Sequence, residues 1–349
     1  MVGPHRFPTG KLPQDILKRV VFGRLGVPSD RVLQGPQVGE DAAVIEMGEQ
    51  VLVVATDPIT GAVGNVGWLA VHINANDVAS TGARPRWFLC VTLLPEGAGE
   101  RLLEGIMEQI HSACLEIGVS LIGGHTETTP GLERPILIGF MMGEAAPGSY
   151  ITTGGALAGD AIVMTKGAGI EGTAVLAGDL RGLLEGRIDS PLLESAEEFT
   201  KRISVVPEAM EAMKVGGVHS LHDPTEGGVL NGVWEMAEAG GVGVEVWESE
   251  IPVAEETKAV CDALGVDPLK LMGSGALLIV VESGRVKDLL SGLDDIGVDA
   301  SQIGLVKPMG EGRVLVRKDG SRVVIGAVDQ DEVYRVLDQH GFMDQEPSD

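Results

Sequence analysis

The sequence predicts an α/β (α+β) chain of two domains, each a β-sheet packed by helices. Three observations carry that reading. At 349 residues the chain is too long for one ordinary core and suits two of moderate size. Apolar runs of strand length alternate with segments of helical periodicity on both sides of its middle. Between the halves, Ala145-Ala146-Pro147-Gly148-Ser149-Tyr150-Ile151-Thr152-Thr153-Gly154-Gly155-Ala156 is turn-rich and follows a clear strand. The domains are therefore placed at 1–155 and 156–349.

In the first half the patterns predict helices over 14–25, 66–82 and 100–117, and strands over 42–45, 51–56, 87–94 and 136–142. In the second they predict strands over 161–165, 243–247, 276–281 and 313–316, with helices around 226–239, 257–264 and 332–337. Such alternation fits a doubly wound parallel sheet as well as a mixed one, and the pattern alone leaves both open. Apolar strands such as 51–55 and 87–94 need cover on both faces, while a half of this size has helices for one, which predicts a homodimer built through the N-terminal sheets.

Composition excludes several classes of function. The formal net charge of -25 argues against nucleic-acid binding, which needs clustered Lys and Arg. It repels bare nucleotide as well, so an ATP site would need Mg²⁺ to neutralise both sides. No run reaches the length of a membrane span and Met1 to Pro8 has no long apolar stretch, so a soluble cytoplasmic protein is expected. Cys90, Cys114 and Cys261 stand far apart in apolar segments and read as reduced core residues.

The chemistry-bearing residues fall into ordered clusters. Gly123-Gly124-His125-Thr126-Glu127-Thr128-Thr129-Pro130-Gly131 lies between two apolar runs and reads as a glycine-rich loop able to meet phosphate or metal, or as a polar hairpin that binds nothing. Upstream, Gly39-Glu40-Asp41 enters an apolar strand and Asp57 leaves the end of one; taken alone each acid reads best as a turn or capping residue, although strand ends are where open α/β sheets bind ligands. In the 66–82 helix, Leu69, Ala70, Ile73 and Asp77 keep a 3-4 spacing that puts Asp77 on the apolar face; Asn74 can share that face, whereas His72 cannot. Thr165-Lys166-Gly167-Ala168-Gly169 can hold an anion at a helix N-terminus or be a tight turn with a solvated lysine. Asp223 and Glu226 stand where acids commonly cap a helix.

Taken in order, Gly39-Glu40-Asp41-Ala42-Ala43-Val44, Ala55-Thr56-Asp57, Asn76-Asp77-Val78-Ala79-Ser80-Thr81-Gly82-Ala83-Arg84-Pro85 and the Gly123 segment resemble the aminoimidazole ribonucleotide (AIR) synthetase superfamily. Gly159-Asp160-Ala161, His222-Asp223-Pro224-Thr225-Glu226-Gly227-Gly228 and Glu250-Ile251-Pro252-Val253 resemble its second domain, the last two most like the HypE hydrogenase-maturation branch. The resemblance implies a PurM-like fold of mixed sheets, with two N-terminal sheets closing a barrel across a dimer. It implies an ATP-dependent enzyme that activates an oxygen or other acceptor atom of a small-molecule substrate by phosphoryl transfer. Asp41, Asp57, Asp77 and Glu127 would hold Mg²⁺, and Gly39, Asp41, Asn76, Gly123, Gly124 and Thr126 would bind ATP. Asp77, Asp223 and His125 would serve catalysis.

Departures narrow the subfamily. The chain ends without the C-terminal cysteine of HypE dehydratases, and Glu226 stands where they have arginine, exchanging a phosphate clamp for a possible metal ligand. No cysteine precedes Cys90, unlike selenophosphate synthetases. A non-catalytic ATP-binding protein that docks to a maturation partner is thus the alternative.

Overall fold

The computed structural model describes residues 10, 12, 16–37, 39–60 and 64–340. The first sheet contains β1 (Val32–Gln34), β2 (Ala43–Glu46), β3 (Val51–Ile59), β4 (Arg84–Pro95), β5 (Ser120–Thr129) and β6 (Ile136–Ala145), in the order β1-β2-β3-β6-β4-β5. Only β4 and β5 run parallel. The second contains β7 (Ala161–Thr165), β8 (Val218–His222), β9 (Gly243–Trp247), β10 (Leu278–Val281), β11 (Ala300–Lys307), β12 (Arg313–Val316) and β13 (Arg322–Val324), in the order β13-β12-β9-β11-β7-β10-β8. There only β9 and β12 are parallel. Mixed, mainly antiparallel sheets rule out the doubly wound alternative.

The helices are α1 (Val66–Ala79), α2 (Glu100–Ile117), α3 (Ile170–Asp179), α4 (Arg181–Leu184), α5 (Ser190–Glu197), α6 (Val206–Val215), α7 (Gly228–Ala239), α8 (Glu255–Leu264), α9 (Val286–Asp295) and α10 (Glu332–Gln339). Along the central strands of the first sheet, side chains alternate between two environments, as the pleat requires. Val51, Val53, Ala55, Phe88, Cys90, Leu137 and Met141 are buried, while their neighbours Leu52, Val54, Leu89, Val91, Leu93, Ile138 and Met142 are half-buried, and Trp87 and Phe140 are exposed. Helices cover only the first of these faces.

One helix belongs to both halves. Every residue of α1 except Trp68 is buried, because the first sheet packs on one side of it and α6 of the second half on the other. Val205, Val206, Ala209, Ala212, Val163, Leu221 and Ile279 accordingly share a core with Val53, Ala55, Phe88 and Met141. Gly139 lets α1 lie close to β6, since a Cβ there would overlap Asn74.

Several expectations need correction. The 14–25 helix is reduced, within the described residues, to a short π-helical turn at Leu17–Val21 with nothing buried; Gln14 lies outside them. An isolated segment without a packed face cannot meet the cost of helix nucleation. The 66–82 helix stops at Ala79, and the 51–56 strand continues to Ile59, so Asp57 sits within it. The 123–131 segment is no loop: all but its last two residues belong to β5, the edge strand beside β4. Strands β1, β8, β11 and β13 and helices α4, α5, α6 and α9 escaped the sequence reading. No helix of the described residues is long and apolar enough to cross a membrane.

Candidate active site

The end of α1 organises the site. Asn74, Asp77 and Ser80 recur every three residues and so lie on one side, spread over about 9 Å at the helical rise. At one end, the Asn74 amide donates to the Asp57 carbonyl at 3.2 Å and accepts the Asp57 N–H at 2.7 Å. At the other, Ser80 Oγ donates to Asp223 Oδ1 at 3.1 Å. Asp77 stands between them, 4% exposed. The same helix side thus strings together Asp57, Asp77 and Asp223.

Asp41, also of the first half, joins this row at the domain junction. Gly39 adopts φ +77° and packs on the Glu235 backbone and Thr153, while the Glu40 carboxylate accepts the N–H groups of Thr153 and Gly154. That docks the turn on the second half and aims Asp41 at His222, with Oδ2 3.6 Å from Nδ1. His222, the last residue of β8, sets Nε2 3.0 Å from Glu235 Oε2 of α7. Burial works against a charged His222, but the hydrogen bond and charge of Glu235, with Asp41 and Asp223, outweigh it and lift the pKa to about 9. Burial, then the Asp41 charge, pushes the Asp223 carboxyl up to about 7. His222 Nδ1 and Asp223 Oδ2 are buried and have no hydrogen-bond partner among the described residues.

A second acidic group lies near Asp57. Glu171, in the first turn of α3, is held protonated more readily by burial; Ser274 bonds to it, and Glu226 and Asp57 add like charge. Glu226 accepts the Tyr334 hydroxyl at 3.1 Å, and Asp331 accepts the N–H groups of Gly227 and Val333 at 2.6 and 2.7 Å. Neither Asp223 nor Glu226 caps α7, which starts at Gly228 without a side-chain cap.

Other predicted residues go elsewhere. Thr126 pairs with Thr92 and shares its helix-covered face, whereas His125 and Glu127 pair with Val91 and Leu93 on the outer face. There His125 Nε2 lies 3.0 Å from Glu127 Oε2, and Thr129 donates to Glu127 Oε1 at 3.1 Å, which together hold the carboxyl low. The sheet therefore separates Glu127 and His125 from the α1 row within one protomer. Asp41, Asp57, Asp77 and Glu127 do not form the single metal cluster expected, and no three His, Cys, Asp or Glu among the described residues do so. Gly124 is required by β4: a Cβ there would overlap the Cys90 carbonyl oxygen, while Gly123 faces only Leu89.

The Asn76 amide bonds the Ile203 carbonyl and the Val205 N–H, both at 2.9 Å, so it clamps the two halves together. Lys166 is neither solvated nor open to an anion: Nζ lies 2.6 Å from the buried Glu208 and donates to the carbonyls of Arg202, Ser204 and Gly275. His72 is buried with the rest of α1, against the Trp68 ring, and burial lowers its pKa to about 4. The three cysteines are free and buried, with burial pushing Cys114 up to about 11 and Cys261 to about 12. Glu235, His222 and Glu171 were missed. The available signal was an acid set among apolar helix residues, as in Val233-Trp234-Glu235-Met236.

Residues 39–145 match the AIR synthase related protein N-terminal domain, and residues 158–317 the C-terminal domain of the same family. Carbamoyl dehydratase HypE of Cupriavidus necator is 32% identical over 300 residues, covering 82% of each chain. That of Azotobacter vinelandii is 32% identical over 277 residues, 76% of this chain and 78% of the relative. Among solved structures, a hydrogenase maturation protein HypE superposes with TM-score 0.71 at 27% identity, covering 88% of this chain and all of that one. A HypE in complex with ATP (TM-score 0.70, 23% identity, 94% and 98% covered) shares the fold. The two halves, their mixed sheets and the ordered motifs place the chain in the AIR synthase related family, on its HypE-like branch.

Proposed function

We propose that this protein is a Mg²⁺-dependent, ATP-using enzyme that activates an oxygen or other acceptor atom of a small molecule by phosphoryl transfer. The observation that carries the reading is the row Asp57, Asp77, Asp223 along one side of α1, with Asp41 beside it. HypE carbamoyl dehydratases and an ATP-bound HypE among the similar proteins support it. Carboxylate oxygens are the hard donors Mg²⁺ prefers, and this ion is commonly held by one or two carboxylates together with phosphates and water. A spread row with no three-ligand cluster suits that habit. Asp77, Asp57 and Asp41 would share the Mg²⁺ of the nucleotide, no more than two of them on any one ion, and Mg²⁺ when bound supplies charge neutralisation for the triphosphate.

Asp223 titrates near neutrality, in the range where a carboxyl can take a proton from an acceptor as it attacks. Its carboxyl enters from the second half and so would face the acceptor. The half-buried apolar face of the first sheet supports a homodimer closed over that face, in which His125 and Glu127 would meet the partner subunit. Light scattering that returned a monomer at micromolar concentration would count against that assembly.

The test is calorimetry with Mg²⁺-ATP, followed by a thermal-shift screen of candidate acceptors in its presence. Asp77→Asn should lose most of the Mg²⁺-dependent affinity while keeping its fold. Equal affinity in wild type and variant would sink the assignment. Nucleotide binding with no turnover of any acceptor would favour the docking-protein alternative.

A further inference from the structure

His222 and Glu235 form a buried pair behind Asp41 that phosphoryl transfer does not itself require. His222 ends the edge strand of the second sheet that faces the first half, and its ring lies between two carboxylates from different halves of the chain. Glu235 Oε2 holds Nε2 at 3.0 Å, and Asp41 Oδ2 lies 3.6 Å from Nδ1. The imidazole is 2% exposed and Asp223 1%, yet His222 Nδ1 and Asp223 Oδ2 have no hydrogen-bond partner among the described residues. A buried polar atom without a hydrogen bond costs folding free energy. Two such atoms on adjacent residues, both beside Asp41, mark an arrangement kept for something other than stability.

The groups facing this imidazole are all acidic: Glu235 from α7, Asp41 and Glu40 from the turn before β2, and Asp223 from its own segment. The ring, held by Glu235 on one edge, fills the space beside Asp41 and Asp223 and so fixes where the Asp41 carboxylate sits.

We propose that His222, oriented by Glu235, is a positioning residue that holds Asp41 of the first half against Asp223 of the second, so that the Mg²⁺-binding side of the site is assembled across the domain junction. This rests on the reading of the site as a Mg²⁺-ATP site. Glu235 then governs metal-dependent nucleotide binding without touching either ligand.

Calorimetry of ATP binding with Mg²⁺ and with EDTA, on wild type, His222→Gln, His222→Asn and Glu235→Gln, tests this. The expected result is at least a tenfold loss of the Mg²⁺-dependent gain in affinity for His222→Gln, with metal-free ATP affinity unchanged. Glu235→Gln, which keeps the site's shape, loses at least threefold. His222→Asn, whose amide can take the place of Nδ1, retains more of the gain than His222→Gln. Affinities within twofold of wild type for both His222→Gln and Glu235→Gln would overturn the proposal. If the wild-type protein itself binds no Mg²⁺-ATP, the functional reading fails separately. The positional claim is then judged by a double-mutant cycle of His222→Gln and Asp41→Asn in urea unfolding, where strict additivity refutes it and tenfold or greater coupling in the unfolding constant sustains it.

Discussion

Ser80 and Asp223, 143 residues apart in sequence, meet at 3.1 Å in a buried hydrogen bond that joins the C-terminal end of α1 to the end of β8. The serine comes from the first half and the aspartate from the second. Because Asp223 Oδ2 has no hydrogen-bond partner among the described residues, Ser80 carries much of this carboxyl's satisfaction.

Removing that hydroxyl should be felt directly. Ser80→Ala is expected to destabilise the protein by about 1–3 kcal/mol, the cost of leaving a buried acceptor without its partner. Urea unfolding measures it, and a change below about 0.5 kcal/mol would show that Asp223 finds another donor.

Lys166 gives a second prediction. Lys166→Met leaves Glu208, 1% exposed at its side chain, as an uncompensated buried charge, and should cost about 3–5 kcal/mol in chemical denaturation. Where the variant remains folded at low temperature, its nucleotide affinity should match wild type, since the ammonium group is committed to Glu208 and three carbonyls. A large loss of affinity with little loss of stability would restore the anion-binding reading of this lysine.

Gly124→Val should act on folding before it acts on any ligand. The added Cβ collides with the Cys90 carbonyl and forces β5 away from β4, so soluble yield and melting temperature should fall sharply. Gly123→Ala meets only the Leu89 side chain at 3.3 Å and should be the milder change, although its φ of +153° still favours glycine. Equal melting temperatures for wild type and Gly124→Val would refute the packing account.

Asp331 predicts a pH dependence. Burial raises its carboxyl from 3.8 to about 7, against the pull of the N–H groups of Val333 and Gly227. Between those values the folded protein binds the extra proton, so this residue's contribution to stability is largest below about pH 4 and declines as pH rises towards 7. The slope from one proton is at most about 1.4 kcal/mol per pH unit. Asp331→Asn should remove that component from a plot of unfolding free energy against pH; an unchanged slope would show that the carboxyl titrates normally.

Much of the fold was legible where its signals are local. The α2 boundaries, the strands at 161–165, 243–247 and 313–316, and the apolar setting of Asp77 follow from periodicity that a single segment carries. What was not legible depends on partners far along the chain. The Gly123 segment reads as a loop because its glycines suggest a turn, whereas the constraint on Gly124 comes from β4 backbone more than thirty residues earlier. Lys166 looks like a surface lysine until Glu208 and the carbonyl of Gly275 are brought to it. His222 stood beside a recognised aspartate, but its meaning required both Asp41 and Glu235, which no spacing rule connects.

The core shared through α1 has a mechanical consequence. Because Val205, Ala209 and Leu221 pack in the same apolar cluster as Val53, Phe88 and Met141, separating the halves would bare apolar surface on each. The boundary near residue 155 is therefore a division of sequence and not a hinge. A chain cut there should yield two sticky fragments in place of two working modules, and the intact chain should melt in one cooperative step. Any opening and closing of the site must be sought in the segments bordering the acidic row, with the two sheets moving as a single block.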